Sequence, residues 1–180
     1  MSTTVWEAAL ALPISPARDH IRGSVDAPVE LVEYGDFECP YCRQAHGIVN
    51  AVQQHMGDEL MVVFRHFPLT TVHPHAEQAA EAAEAAGAQG RFWAMHDRLF
   101  EYQPQLDFPD LLAHAAYLGL DIDRFERELI ERVHAPKVRE DFMSGVYSGV
   151  SGTPTFFING LRHDGPWDFA TLLAALQRMA

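Results

Sequence analysis

The spacing of apolar positions changes several times along the chain, and each change marks an element. After Pro28 the run Val29-Glu30-Leu31-Val32-Glu33-Tyr34 reads as a buried strand, ended by Gly35-Asp36. Beyond Pro40 the spacing becomes helical. Ala45, Val49, Val52 and Met56 recur on one face, and Gly57-Asp58 stops the helix. Leu60 to Phe67 is a second apolar run, closed by Pro68. Strand, helix, strand at this spacing predicts a parallel βαβ unit.

A long helical stretch follows. His73–Gln89 is alanine-rich and carries Glu77, Glu81 and Glu84 on one face, which reads as a solvated face. Phe92–Tyr102, Leu111–Leu118, Asp121–Val133 and Pro136–Tyr147 continue it, with Asp121 placed as an N-cap. The Gly/Ser loop 148–154 leads into a strand at Thr155–Ile158. Asn159-Gly160 is a two-residue hairpin turn, Leu161–His163 its partner strand, and Asp168–Arg178 a closing helix. The order predicts two parallel strands, an antiparallel pair, and helices inserted between them, with no boundary that would free the helices as a separate domain. Residues 1–25, punctuated by Pro13, Pro16, Gly23 and Ser24, read as an arm whose Leu10, Leu12 and Ile14 can pack on the body.

Composition narrows the function. The hydrophobic fraction of 48% is ordinary for a globular chain, but the formal charge of −12 argues against nucleic acid and anionic membrane surfaces as partners. No apolar run approaches the roughly 18 residues of a span, so membrane insertion is not expected. The first residues lack a basic segment before their apolar positions, which makes a poor signal peptide and predicts a cytoplasmic address. No HExxH, GxSxG, GxGxxG or phosphate-binding loop is present, which leaves zinc protease, serine hydrolase and nucleotide-binding readings without residues.

What remains is a pair of cysteines, the chain's whole complement, at Cys39-Pro40-Tyr41-Cys42. Two cysteines cannot build a multi-bridge scaffold, but two thiols at a strand-to-helix junction can be oxidised and reduced in turn. Pro40 suits the first helical position and so makes Cys39 the N-cap, where unpaired N–H groups and the helix dipole favour a thiolate. Cys42 lies nearly a turn further in. Cys39 is therefore the attacking sulfur and Cys42 the resolving one. Asp36 and Glu38 should work against ionisation and Arg43 should partly offset them, for a lowered but not extreme Cys39 pKa. A zinc site on Cys39, Cys42 and His46 would still need a fourth ligand, so no metal is expected. His73, His75 and His96 read as solvated or packed side chains.

Two segments together resemble the DsbA-like thioredoxin-fold family: Val32–Cys42, with its Gly-Asp-Phe-Glu-Cys-Pro-Tyr-Cys run, and Gly149–Gly160, with Ser151-Gly152-Thr153-Pro154. His73–Leu99 is similar to that family's helical part. The resemblance implies an α/β, thioredoxin-like fold, a mixed sheet flanked by helices, with an inserted all-helical subdomain. Residues 26–180 would form one domain, with the core at about 26–72 and 148–180 and the insertion at about 73–147. It further implies that Pro154 is cis and lies against the cysteines, and that Thr153 presents backbone groups to an extended substrate. Glu33 would be the buried acid that takes a proton from Cys42. The Pro40-Tyr41 pair, shared with glutaredoxins, differs from the Pro-His pair of strongly oxidising members and implies a moderate redox couple.

The expected activity is dithiol–disulfide exchange with a protein or small-thiol substrate, in the reductase or isomerase direction. A thioredoxin- or glutathione-type partner would restore the dithiol, and neither an organic cofactor nor a metal would be used. Two alternatives stand beside it: a glutathione-dependent oxidoreductase or transferase, and a redox-regulated binding module without turnover.

Overall fold

A computed structural model describes residues 8–180; residues 1–7 of the expected arm lie outside the described residues. Strand β1 (His20–Arg22) precedes β2 (Val29–Gly35), helix α1 (Pro40–Met56) and β3 (Leu60–His66). Five helices follow: α2 (Ala76–Gly87), α3 (Phe92–Glu101), α4 (Phe108–Tyr117), α5 (Ile122–Ile130) and α6 (Ala135–Tyr147). The chain ends with β4 (Thr155–Ile158), β5 (Leu161–His163) and α7 (Phe169–Gln177). The strands form one sheet in the order β1-β3-β2-β4-β5. β2 and β3 run parallel, and the pairs β1–β3, β2–β4 and β4–β5 are antiparallel. Asn159 and Gly160 both hold positive φ, 47° and 81°, as a tight hairpin turn requires.

The two-residue period of the strands sorts side chains between the faces. Leu31, Leu60, Val62 and Ile158 pack beneath Val49 and Val52 of α1 and Leu172 and Leu176 of α7. Val32, Tyr34, Val63 and Phe157 face the opposite side with Phe67 and Phe142. A third cluster joins Phe37, Phe64, Cys39 and Cys42 to the apolar faces of α2 to α5. The inserted helices thus build their core directly against the cysteines. Every residue of β3 is buried, as expected of a central strand covered on both faces.

Two features differ from the pattern-based reading. The first is β1, for which the sequence predicts no strand. It is only three residues long, too short for an alternation to register. It is held in place by tertiary anchors around Arg65, which is 0% exposed. The Arg65 guanidinium donates to both oxygens of Asp19 at 2.9 and 3.0 Å and to the carbonyls of Leu12 and Pro13. Further back the arm crosses to the other edge, where Leu10 N–H donates to the Gly160 carbonyl at 2.8 Å. Residues 9–22 thereby cover both edges of the sheet, which would otherwise be open to further strand pairing.

The second is the glutamate face of α2. Glu77 reaches solvent, but Glu81 and Glu84 are buried. Glu81 takes hydrogen bonds from Arg132, and Glu84 sits between His20 and His66 at 2.9 and 2.8 Å. A charge run is solvated only where nothing packs on it. Here α3, α5 and α6 pack on α2, and Glu84 reaches the sheet at His20 and His66.

Candidate active site

The strand-to-helix turn sets the two sulfurs. β2 ends at Gly35, where an added Cβ would sit 2.4 Å from the Phe64 ring and 3.3 Å from Glu33 Oε1, so glycine is what lets ring and acid approach. Cys39 caps α1 with an extended backbone (φ −74°, ψ 121°), and Pro40 occupies the first turn. Cys42 is fully buried one turn in, and the Asp36 N–H donates to its sulfur at 3.5 Å. Both cysteines are free thiols. The Thr153–Pro154 peptide is cis, and the Thr153 carbonyl lies 3.5 Å from Cys39 Sγ. Tyr41 is 64% exposed and stands at the surface beside the pair.

The turn is gripped from several sides. Asp36 is buried and accepts from Glu38 N–H, Leu69 N–H and His73 at 2.8 to 2.9 Å. Glu38 accepts from the backbone and ring of His75 at 2.7 and 2.9 Å. Gln103, just after α3, donates its amide to the carbonyls of Phe37 and Cys39, each at 2.8 Å. Sequence position alone predicts that Asp36 and Glu38 oppose thiolate formation at Cys39. The structure instead pairs each with a histidine of the insertion and gives them the shape of the turn to hold.

The environment splits the two thiols. Cys39 is lowered to about 5. The hydrogen bond from the Cys42 thiol contributes most, burial opposes it, and the Thr153 hydroxyl and the backbone N–H groups of Cys42 and Tyr41 add to it. Cys42 is pushed well above the ordinary thiol range, first by burial, then by its bond to Cys39 and by the nearby Glu33. Glu33 is 3% exposed, its Oε1 has no hydrogen-bond partner, and burial followed by the charge of Cys39 raises it to about 8.

The structure therefore brings Cys39, Cys42, Pro40, Tyr41, Thr153, Pro154 and the Glu33 carboxyl into one neighbourhood. His46 does not join the sulfurs. Its Nε2 bonds to Asp97 Oδ1 at 2.9 Å, and His96 Nδ1 bonds to the same oxygen at 2.9 Å. His96 is buried against Phe64, Trp93 and Phe100. Gln103 and His73 are site residues that the sequence pattern does not reveal. Each acts across a long sequence separation, for which a single chain offers no periodic signal.

A family model described as thioredoxin matches residues 16–178. The chain is 48% identical over 172 residues to Na(+)/H(+) antiporter NhaA 1 of Mycobacterium sp. (strain KMS), covering 93% of this chain and 28% of that protein. It is 52% identical over 169 residues to Na(+)/H(+) antiporter NhaA 1 of Salinispora arenicola, covering 93% of this chain and 26% of that one. The chain thus spans about a quarter of the length of these curated relatives. Among the described residues no helix is long and apolar enough to cross a membrane. Among solved structures, oxidised BdbD from Bacillus subtilis matches with a TM-score of 0.84 at 23% identity, covering 95% of this chain and 97% of that one. A thioredoxin-like oxidoreductase from Silicibacter pomeroyi DSS-3 matches with a TM-score of 0.77 at 26% identity, covering 91% and 92%.

Proposed function

The chain belongs to the thioredoxin family, and from that membership we propose that it catalyses thiol–disulfide exchange through Cys39 and Cys42. The observation that carries this reading is the split between the two sulfurs: a thiolate-forming Cys39 at a helix start beside Thr153, and a protonated Cys42 buried behind it.

The exchange runs in two displacements. Cys39 thiolate attacks one sulfur of a substrate disulfide, forms a Cys39–substrate disulfide, and releases the other sulfur as a thiolate that takes a proton from water. Cys42 then gives its proton to the Glu33 carboxylate and attacks Cys39 Sγ. The Cys39–substrate bond breaks, the second substrate thiolate leaves, and the enzyme holds a Cys39–Cys42 disulfide. The substrate disulfide has been reduced and the dithiol oxidised; an external thiol or dithiol of the thioredoxin or glutathione type returns it. Thr153 offers its backbone beside Cys39 to an extended chain, and the exposed Tyr41 and Pro40 flank the same approach. The reducing or isomerising direction is favoured because the residues between the cysteines carry no cation that would further hold the reduced form. No organic cofactor enters these steps, which suit a compartment that keeps thiols reduced.

Insulin reduction by dithiothreitol tests the reading. Wild-type protein should accelerate precipitation of the reduced chains and Cys39→Ser should abolish the acceleration. Wild type no faster than dithiothreitol alone would remove the activity. Cys42→Ser should accumulate a mixed disulfide with a protein substrate; if it keeps full turnover, a single-cysteine, glutathione-dependent reaction replaces the two-cysteine one.

The curated relatives favour a second reading. A chain matching about a quarter of a protein named as a sodium–proton antiporter can serve as a redox-responsive module beside an ion carrier. It would then show a partner affinity that changes with the state of the cysteine pair, and no multiple turnover.

A further inference from the structure

Before the Glu33 carboxyl can take the proton of Cys42, it must give up its own. It is neutral in the resting dithiol, held so by burial and by the Cys39 thiolate, and the loss of that charge in the mixed disulfide frees it to ionise. At 3% exposure it has no direct path to solvent. The proton needs a route.

One small cavity adjoins it. Glu33 and His96 both line the space, with Arg22 of β1, His46 and Asn50 of α1, and Trp93 of α3. It leaves about 10 Å³ for the centre of a water molecule, room for one. Each of the two residues carries a buried polar atom without a hydrogen-bond partner, Glu33 Oε1 and His96 Nε2. Their chemistry is complementary. Asp97 only accepts, because hydrogen bonds from His46 and His96 outweigh burial and hold its carboxylate well below the usual range. His96 Nδ1 must therefore carry the hydrogen, and the neutral ring presents Nε2 as a lone pair. The protonated Glu33 is the donor. On the far side Asp97 is about a third exposed and lines an open cleft with Arg22, Asn50 and Gln53.

We propose that His96, oriented by Asp97, is the group through which Glu33 releases its proton to solvent across this cavity, an inference that rests on the exchange reading above. The proton passes from the Glu33 carboxyl to His96 Nε2 over one water, for which the cavity between them has room. The imidazolium gives its Nδ1 proton to water at the Asp97 cleft, which leaves His96 neutral as the Nε2–H tautomer and Glu33 as the carboxylate that receives the Cys42 proton; when the dithiol is restored the transfer runs in reverse and resets the ring. The charged and titratable groups facing this path are Cys39 and Cys42 from the active-site turn, His46 from α1 and Arg22 from β1. His96 and Asp97 are positioning residues that act through Glu33 and never touch the sulfurs.

The test follows both displacements on an aromatic disulfide, 5,5′-dithiobis(2-nitrobenzoate), which releases one coloured thiolate when Cys39 attacks and a second when Cys42 resolves. Below pH 8, His96→Gln and Asp97→Asn should slow the second release on the order of tenfold, less than the roughly 100-fold or more of a group that itself takes the reacting proton, and leave the first unchanged. In a Glu33→Gln background, His96→Gln should slow it no further. A second release as fast as wild type in Asp97→Asn, or the same tenfold loss on top of Glu33→Gln, overturns the proposal. Should His96→Gln fail to fold, Asp97→Asn decides alone, its side chain being partly exposed. A wild type with no first release would instead bring down the exchange reading and this inference with it.

Discussion

Two buried glutamates in this protein end in opposite electrostatic states. Glu33 lies behind the cysteines, 3% exposed, with an oxygen that has no partner, and it is raised to about 8. Glu84 lies where α2 meets the sheet, 6% exposed, between His20 and His66, and it is held well below the usual carboxylate range although burial pushes it the other way. Burial is nearly the same; the partners differ. One acid is left without a cation and stays protonated, the state from which the proposed proton transfer starts. The other is satisfied and ties the arm, the sheet and the insertion together through His20, which also stacks on Phe92 at 3.6 Å.

The strongest way to break this contrast is to remove the satisfied acid. Glu84→Ala leaves His20 and His66 without their shared partner and should destabilise the fold by about 3–5 kcal/mol, read as a lower urea midpoint. The pH midpoint of Cys39 alkylation should stay near 5, because Glu84 is not among the groups that set it. An alkylation midpoint that moves with Glu84 would mean that the two regions are coupled.

Removing the unsatisfied acid should do the reverse. Glu33→Gln should slow the resolving step on the order of 100-fold, about 2.7 kcal/mol, while Cys39 attack continues at its own rate. Stability should move with pH in opposite senses for the two acids. Glu84, lowered in the folded state, contributes stability that is present above its unfolded value of 4.5 and lost as pH falls below it. Glu33, raised to about 8, keeps a proton that the unfolded chain has released above 4.5, so its contribution declines as pH rises from 4.5 to 8. Cys39 pulls the other way in part of that window, so the informative quantity is the difference between wild type and Glu33→Gln. The variant should gain on wild type across pH 5 to 8, measured by urea unfolding; a constant difference would place the acid in solvent.

The smallest effect concerns the thiols. Thr153→Val removes a hydroxyl that favours ionised sulfur and should raise the Cys39 alkylation midpoint by less than ~1 pH unit.

Much of the fold is legible in the amino-acid sequence. The alternation in Val29–Tyr34, the helical spacing from Ala45 to Met56 and the Asn159-Gly160 turn each describe a local preference, and the elements form where those preferences lie. Boundaries shift where tertiary bonds intervene: α2 begins at Ala76 rather than His73, and the side chains of His73 and His75 are bonded to Asp36 and Glu38 instead. The glutamate face of α2 misleads because spacing tells which residues share a face but not what covers that face.

The chain by itself determined which cysteine stands at the helix start, since Pro40 after Cys39 fixes where α1 begins. Only the tertiary structure decided which acids are paired. A carboxylate takes its state from partners that arrive from distant positions, His20 and His66 at Glu84, and at Glu33 only a small cavity shared with His96. Those meetings are made by packing, and no periodicity in the sequence encodes them.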